Sequence, residues 1–329
     1  MTLGRIAILA VCPADWAGVR KAITQGADDY ADIHDAPAAI RARNPVEVRF
    51  GGYDPRWRGL VKFARTRHCR VVVAIHHTPL FHEFSPSGRS AIVEAIDAFR
   101  QGLIDRFETP DEGVAGTLAS FGIPCHLKRN TIAAPPESRC RLALSGLHIG
   151  IFGTGMPWKN QETQILAAAL AIKNRADGEI HVQCVMEESL LRSLGIRYQT
   201  HAKMDQPQFY DLLASMTLNL AVGATETFGY IPVESFLLGV PCLFSPMTPA
   251  FYDVERESPL WACRVDRIDD PVFIAKKIDG VLESRSTIAE AGREFCRRHV
   301  AQEHVSRAFA ALLPGAPGPA LLTPSKSDE

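Results

Sequence analysis

The sequence is short of several things, and each shortage excludes a class of protein. No apolar run approaches the roughly 18 residues needed to span a bilayer. Charge of neither sign is in excess: 36 Lys+Arg face 37 Asp+Glu, for a net charge of -1. That balance excludes a strongly basic nucleic-acid binder and an acidic disordered tail as the main identity. The 8 cysteines never form C-x-x-C, so neither a disulfide framework nor a tight zinc pair is written here. They read as small core hydrophobes in a reducing, cytoplasmic compartment. There is no Asp-x-Asp, no short repeat, and no complete G-x-G-x-x-G. In Gly153-Thr154-Gly155 the third glycine's slot is Trp158 and Pro157 intrudes, a poor dinucleotide loop.

What is present is a 329-residue chain with 46% hydrophobic and 22% charged residues, ordinary for a packed protein of about two domains. Short β-branched runs alternate with helical patterns, which predicts α/β architecture with parallel sheets covered on both faces. Strands are expected at Ile6–Cys12, read as a buried strand rather than an export signal, and at Val46–Phe50, Cys69–Ile75, Leu103–Phe107 and Cys125–Lys128. A helix is expected from about Asp15, a second capped by Asp54 with Pro55 at its first position, and a third entered at Thr109-Pro110-Asp111. After a Pro/Ser/Arg-rich stretch the alternation restarts, with strands at Leu147–Phe152, Glu179–Val185, Thr217–Val222 and Pro241–Phe244 and helices from Gln161, from Pro232, and near 271–283 and 287–312. The expected division is an N-terminal Rossmann-like domain over 1–135, a linker over 136–146, a second Rossmann-like domain over 147–312, and a disordered Pro/Gly/Ser-rich tail over 313–329.

Ligands of open parallel sheets bind beyond the carboxyl ends of the strands. That selects Cys12–Gly18, His76–Phe84, Gly153–Asn160, Gly223–Tyr230 and Ser245–Tyr252. The richest segment is Gly223–Pro241, GATETFGYIPVESFLLGVP. A strand ends, a small-residue loop carries Glu226, Phe228-Gly229-Tyr230 turns the chain, and Pro232 opens a helix holding Glu234. Seven residues separate the two glutamates, so one lies in the loop and the other in the helix's first turn, both able to face one cleft. Free amides around Thr227–Gly229 at the helix start suit a diphosphate, and carboxylates suit vicinal hydroxyls of a ribose or a sugar. Taken singly, Glu234 reads equally as a capping glutamate and Glu226 as a solvated loop acid; the pair in this frame reads as a nucleotide-sugar pocket.

ETFGYIPVESFLLGVP resembles the E-x7-E segment of retaining glycosyltransferases of the GT-B fold, family 4, and GIFGTGMPWKNQETQILAAA resembles the first strand and loop of that family's C-terminal domain. The resemblance implies two Rossmann-like domains with parallel sheets facing across a cleft. Lys159 then matches the lysine on the donor diphosphate, though by itself it reads also as a surface lysine before the helix cap Asn160. Glu226 would hold sugar hydroxyls and Glu234 the ribose, with Gly153, Thr154, Gly155, Asn160, Thr227, Phe228, Gly229 and Tyr230 around the donor. The strand end VVVAIHHTP is similar to the family's strand ending in a histidine beside the donor sugar, with His77 the preferred match and His76 the second. Asp15 and Trp16 fall on the acceptor side, where the family's Gly-rich first loop is replaced by PADWAG. Thr154 stands where the family commonly has an arginine, and Arg264 is a candidate for the missing charge.

The implied reaction is metal-independent transfer of a sugar, with retention, from a UDP- or GDP-linked donor to a glycan or lipid-linked acceptor in polysaccharide or glycoconjugate synthesis. No cofactor, metal or nucleic acid is expected. The implied place is the cytoplasm, at the inner membrane face where the acceptor is lipid-linked, although no pronounced basic amphipathic helix supports membrane docking. The alternatives are a GT-B sugar-nucleotide epimerase or phosphorylase and a non-catalytic nucleotide- or partner-binding module.

Overall fold

Continuous apolar runs buried on both faces have only one economical packing, a parallel sheet with helices on each side. The computed structural model describes residues 6–13, 20, 22–76, 86–132, 135, 142, 144–153, 155–183 and 188–300, and these form two such sheets.

The first sheet contains β1 (Ile8–Cys12), β2 (Asp29–Asp32), β3 (Glu47–Phe50), β4 (Arg70–Ala74), β5 (Arg106–Thr109) and β6 (Cys125–Leu127). All pairs are parallel, in the order β2-β1-β3-β4-β5-β6. Helices α1 (Ala36–Arg43), α2 (Arg58–Thr66), α3 (Pro86–Arg100) and α4 (Glu112–Ser120) make the crossovers. Leu9, Val11, Val48, Phe50, Val71, Val73 and Phe107 are at the centre of the core. The strand expected at Leu103–Phe107 begins three residues later, because Gly102 (φ 71°) ends α3 and Leu103–Ile104 pack beneath that helix end. Asp54 accepts from Arg56 N–H at 2.8 Å, yet Pro55–Trp57 is a 3-10 turn and α2 starts only at Arg58. At α4 the expected cap is in place, Asp111 Oδ1 accepting from Val114 N–H at 2.9 Å. The helix expected from Asp15 begins outside the described residues.

The alternation of β3 buries charge as well as hydrocarbon. Glu47 and Arg49, with Glu108 of β5, are each 5% exposed. Arg49 Nε meets Glu108 Oε2 at 3.1 Å and Arg49 Nη2 meets Glu47 Oε1 at 3.2 Å. Arg106 bridges the same two carboxylates at 2.9 and 3.3 Å. Lys128 donates to Gln25 O at 3.1 Å and lies 3.8 Å from Glu108; burial, then the charge of Arg49, pulls its ammonium down to about 8. The lattice of opposite charges compensates groups that could not otherwise be withdrawn from water, although Arg49 Nε, Arg106 Nε and Glu108 Oε2 are buried without a well-formed hydrogen bond.

The second sheet contains β7 (Leu147–Ile151), β8 (Gly178–Gln183), β9 (Tyr198–His201), β10 (Leu218–Ala221) and β11 (Cys242–Phe244), again all parallel, in the order β11-β10-β7-β8-β9. Helices α5 (Gln161–Ile172), α6 (Ser189–Ser193), α7 (Gln206–Ser215), α8 (Tyr230–Leu237), α9 (Pro271–Glu283) and α10 (Arg285–His299) surround it. Ile149, Ile151, Ile180, Leu220, Val233 and Phe236 lie in its core. α10 crosses α8 closely because Gly292 has no side chain: a Cβ there would come within 2.1 Å of the Phe236 ring. The six described cysteines are all free, and all but the half-buried Cys125 are buried.

Candidate functional site

The strand order of the second sheet reverses between β7 and β10, so the loops that follow these two strands flank one crevice, the usual ligand position of an open parallel sheet. After β7 the chain turns at Gly153, whose φ of 128° only glycine adopts readily, and passes through the 3-10 turn Pro157–Lys159. Asn160, in the left-handed region at φ 54°, redirects the chain into α5. After β10 the loop Val222–Gly229 leads into α8.

Side chains and backbone lock the two loops together. Ala224 N–H donates to Trp158 O at 2.8 Å, and Asn160 Nδ2 donates to Val222 O at 3.1 Å and to Ile268 O at 2.6 Å. Gln164, buried in α5, accepts from Val222 N–H at 2.9 Å and donates to Lys159 O at 2.7 Å. Over this frame Lys159 Nζ donates to Glu226 Oε1, joining a cation from one loop to a carboxylate from the other. Both side chains retain some exposure, 24% for Lys159 and 15% for Glu226.

Gly229 precedes α8 at φ 95°, and a Cβ on it would lie 2.3 Å from Thr248 Cγ2 in the loop after β11. α8 starts at Tyr230, two residues earlier than the Pro232 expected, so Pro232 occupies the third helical position rather than the first. Pro232 has no amide, so the backbone N–H groups of the first helical turn ahead of Val233 are those of Tyr230 and Ile231. Glu234 moves to the fifth position, past the place of a capping glutamate. It is 2% exposed and accepts from the Tyr210 hydroxyl of α7 at 3.2 Å. Burial, followed by the neighbouring Glu234 charge, holds the Tyr210 and Tyr230 hydroxyls well above the usual phenol range.

The expected residues thus divide. Lys159, Glu226, Gly153, Asn160 and Gly229 meet at the switch point, with Gly155 and Thr227 in the same two loops. Asn160 spends its amide donors on two carbonyls, so its side chain holds loops together. Phe228 is 5% exposed, packs edge-on against Tyr230 at 4.7 Å and belongs to the core. Arg264 bridges to Phe244 on the far side of β11, bonds Asp266 at 2.9 Å and lies over Trp261. His76 follows β4, is buried, and lines a small hollow with Ile23, Ala74, Glu108, Thr109 and Lys128. Asp15, Trp16, His77 and Thr154 lie outside the described residues. Sequence reasoning did not find Gln164 or Tyr210; a glutamine on the buried face of α5 was the available signal for the first.

No family model matches the chain, and no curated protein matches it. Solved structures do. Anabaena HepE in complex with UDP and glucose superposes with a TM-score of 0.68 at 15% identity, covering 94% of this chain and all of HepE. Sucrose-phosphate synthase from Thermosynechococcus elongatus gives 0.63 at 13% identity over 84% of this chain and 74% of its own. A glycosyltransferase from Rickettsia africae gives 0.61 at 13% over 93% and 97%. The fold is GT-B. At these identities the likeness is one of architecture: two Rossmann-like domains, each built on a parallel sheet. Among the described residues no helix is long and apolar enough to cross a membrane.

Proposed function

We propose that the chain is a glycosyltransferase that moves a sugar from a nucleoside-diphosphate sugar to a hydroxyl acceptor. The observation that carries this is the Lys159–Glu226 pair, set at the switch point of the second sheet beside the start of α8. A cation there would neutralise the departing diphosphate, aided by the Ile231 amide at the start of α8. Glu226 would hold the sugar's hydroxyls and Glu234 the ribose. His76 and His77 would line the opposite wall, across a cleft between the domains. HepE, which has the same fold, is found with UDP and glucose, and this favours UDP as the donor base.

Further parts of the reading are retention at the anomeric carbon, with the leaving phosphate taking the acceptor's proton; independence of metal in the transfer step; and a glycan or lipid-linked acceptor in the cytoplasm. Calorimetric titration with UDP, GDP and ADP, with and without EDTA, tests the donor site. Tight UDP binding that survives EDTA and weakens in Lys159→Gln supports the reading. Absence of binding to any nucleoside diphosphate overturns it. NMR of the anomeric proton formed from UDP-glucose and an acceptor then decides retention against inversion.

A further inference from the structure

A second cluster of side chains lies on the sheet itself, away from the loops just described. His148 of β7 pairs in register with Glu179 of β8, so the two side chains leave the same face. His181 is two residues further along β8, again on that face. His201 of β9 shares it too, through its register partner Gln183. Side-chain exposures are 5% for His148, 1% for His181 and 19% for Glu179.

The hydrogen bonds fix where the lone pairs point. His148 Nε2 lies 3.0 Å from Ser145 O, an atom that can only accept, so this nitrogen carries the proton and Nδ1 presents a lone pair. Nδ1 lies 2.9 Å from His181 Nε2 and 3.6 Å from Glu179 Oε2; His181 Nε2 and Glu179 Oε2 are 3.7 Å apart. In the metal-free protein this 2.9 Å contact is a hydrogen bond donated by His181 Nε2–H, and an ion entering between the three atoms would displace that proton. The three atoms define a circle of radius about 2.0 Å, which is the length of zinc–imidazole and zinc–carboxylate bonds.

The outer contacts fit the same purpose. Ser145 O holds His148 in the tautomer that offers Nδ1. His181 Nδ1 lies 3.1 Å from His201 Nε2, so when an ion takes the place of the Nε2 proton the ring can hold its remaining proton on Nδ1 and donate it to His201. Such partners to the distal ring nitrogen are what metal-bound histidines use. Arg197 Nη2, 3.8 Å from Glu179 Oε2, stands on the solvent side, and Glu179 is the most exposed of the three ligands, so an ion reaches the site from its edge.

We propose that His148 Nδ1, His181 Nε2 and Glu179 Oε2 form a binding site for a divalent first-row transition ion of the zinc class, with a fourth position open to water. The ligand set selects such ions over magnesium, which prefers oxygen. Bound there, the ion ties the first half of β7 to β8. The site is structural, and it stands whether or not the chain transfers sugar.

The test uses the full-length, untagged chain, stripped with EDTA and dialysed. Zinc titration should saturate at one ion per chain, cobalt should give the visible bands of a low-coordinate His-ligated site, and zinc but not magnesium should raise Tm. Glu179→Gln and His148→Gln should each weaken zinc binding by more than tenfold, and His201→Gln by about 10-fold with stoichiometry kept. Binding that does not saturate at one, or that is unchanged in Glu179→Gln, overturns the proposal. If His148→Gln does not fold, anomalous scattering from zinc-soaked wild-type crystals decides, by a peak at these three atoms or none there.

Discussion

The ammonium of Lys159 and the carboxylate of Glu226 are bound to each other across two loops that leave neighbouring strands, β7 and β10. Each is the other's counter-charge, so neither can be removed without changing the state of the one that remains. The two single substitutions should therefore act in opposite directions on diphosphate binding. Lys159→Gln should weaken UDP about 10–100-fold, the worth of one charge-assisted contact. Glu226→Gln releases the ammonium from its partner and should leave UDP binding equal or tighter, while transfer from UDP-glucose falls. Calorimetry with UDP beside a coupled transfer assay checks both, and equal loss of UDP binding in the two variants would contradict this assignment.

Asn160 should behave as a structural clamp with two separable contributions. Asn160→Gly keeps access to φ 54° but leaves Val222 O and Ile268 O without their donor, at a cost of about 1–3 kcal/mol. Asn160→Ala adds the left-handed backbone penalty, about 1–2 kcal/mol more. Urea unfolding of the two variants against wild type measures the difference.

The buried lattice of the first sheet makes a contrast with the surface. Arg49→Met leaves Glu47 and Glu108 short of a partner inside the core and should cost about 3–5 kcal/mol. Arg56→Met breaks an ion pair with Asp54 whose arginine is 86% exposed, and should leave stability almost unchanged. Chemical denaturation of both distinguishes the two kinds of pair.

Acid should destabilise the metal-free chain through the histidine row. Burial first, then the facing His201 and His148, lowers His181 from 6.5 to about 4. Glu179 is the carboxylate on the same face. Above pH 6.5 both folded and unfolded chains hold this ring neutral and the contribution is complete. As pH falls from 6.5 towards 4 the unfolded chain takes up a proton that the folded one refuses, so stability declines by at most about 1.4 kcal/mol per pH unit. Melting curves across this window in EDTA should show the slope, and His181→Gln should flatten it.

The sequence made several interior strands legible through β-branched apolar stretches such as VVVAI, and β3 through its alternation of charged and apolar residues. It concealed β2 (DYAD) and β9 (YQTH) for the opposite reason. Both are edge strands, paired on one side only, and polar residues there need not alternate or hide. Missing β9 also meant missing His201, and with it the row of histidines. The members of that row lie some 20 to 33 positions apart in the chain and meet only through parallel register. At the switch point Glu226, Lys159 and Gly229 could be read, because loop chemistry is local. The helix start was misplaced because Pro232 is tolerated anywhere in a first turn, so it marks the turn without marking its first residue.

Gly229 and Gly292 are both positions where a methyl group would collide, but they differ in how a damaged chain could be repaired. At 292 the three nearest atoms all belong to the Phe236 ring and the backbone needs no positive φ, so a smaller residue at 236 should suppress most of a Gly292→Ala defect. At 229 a shortened Thr248 would remove the collision and leave the φ of 95° unrelieved. Second-site suppressors of Gly229→Ala should therefore recover at Thr248 and stop short of wild type. In a lineage of such chains positions 236 and 292 are free to drift together, whereas 229 is fixed by its backbone and Thr248 only follows it.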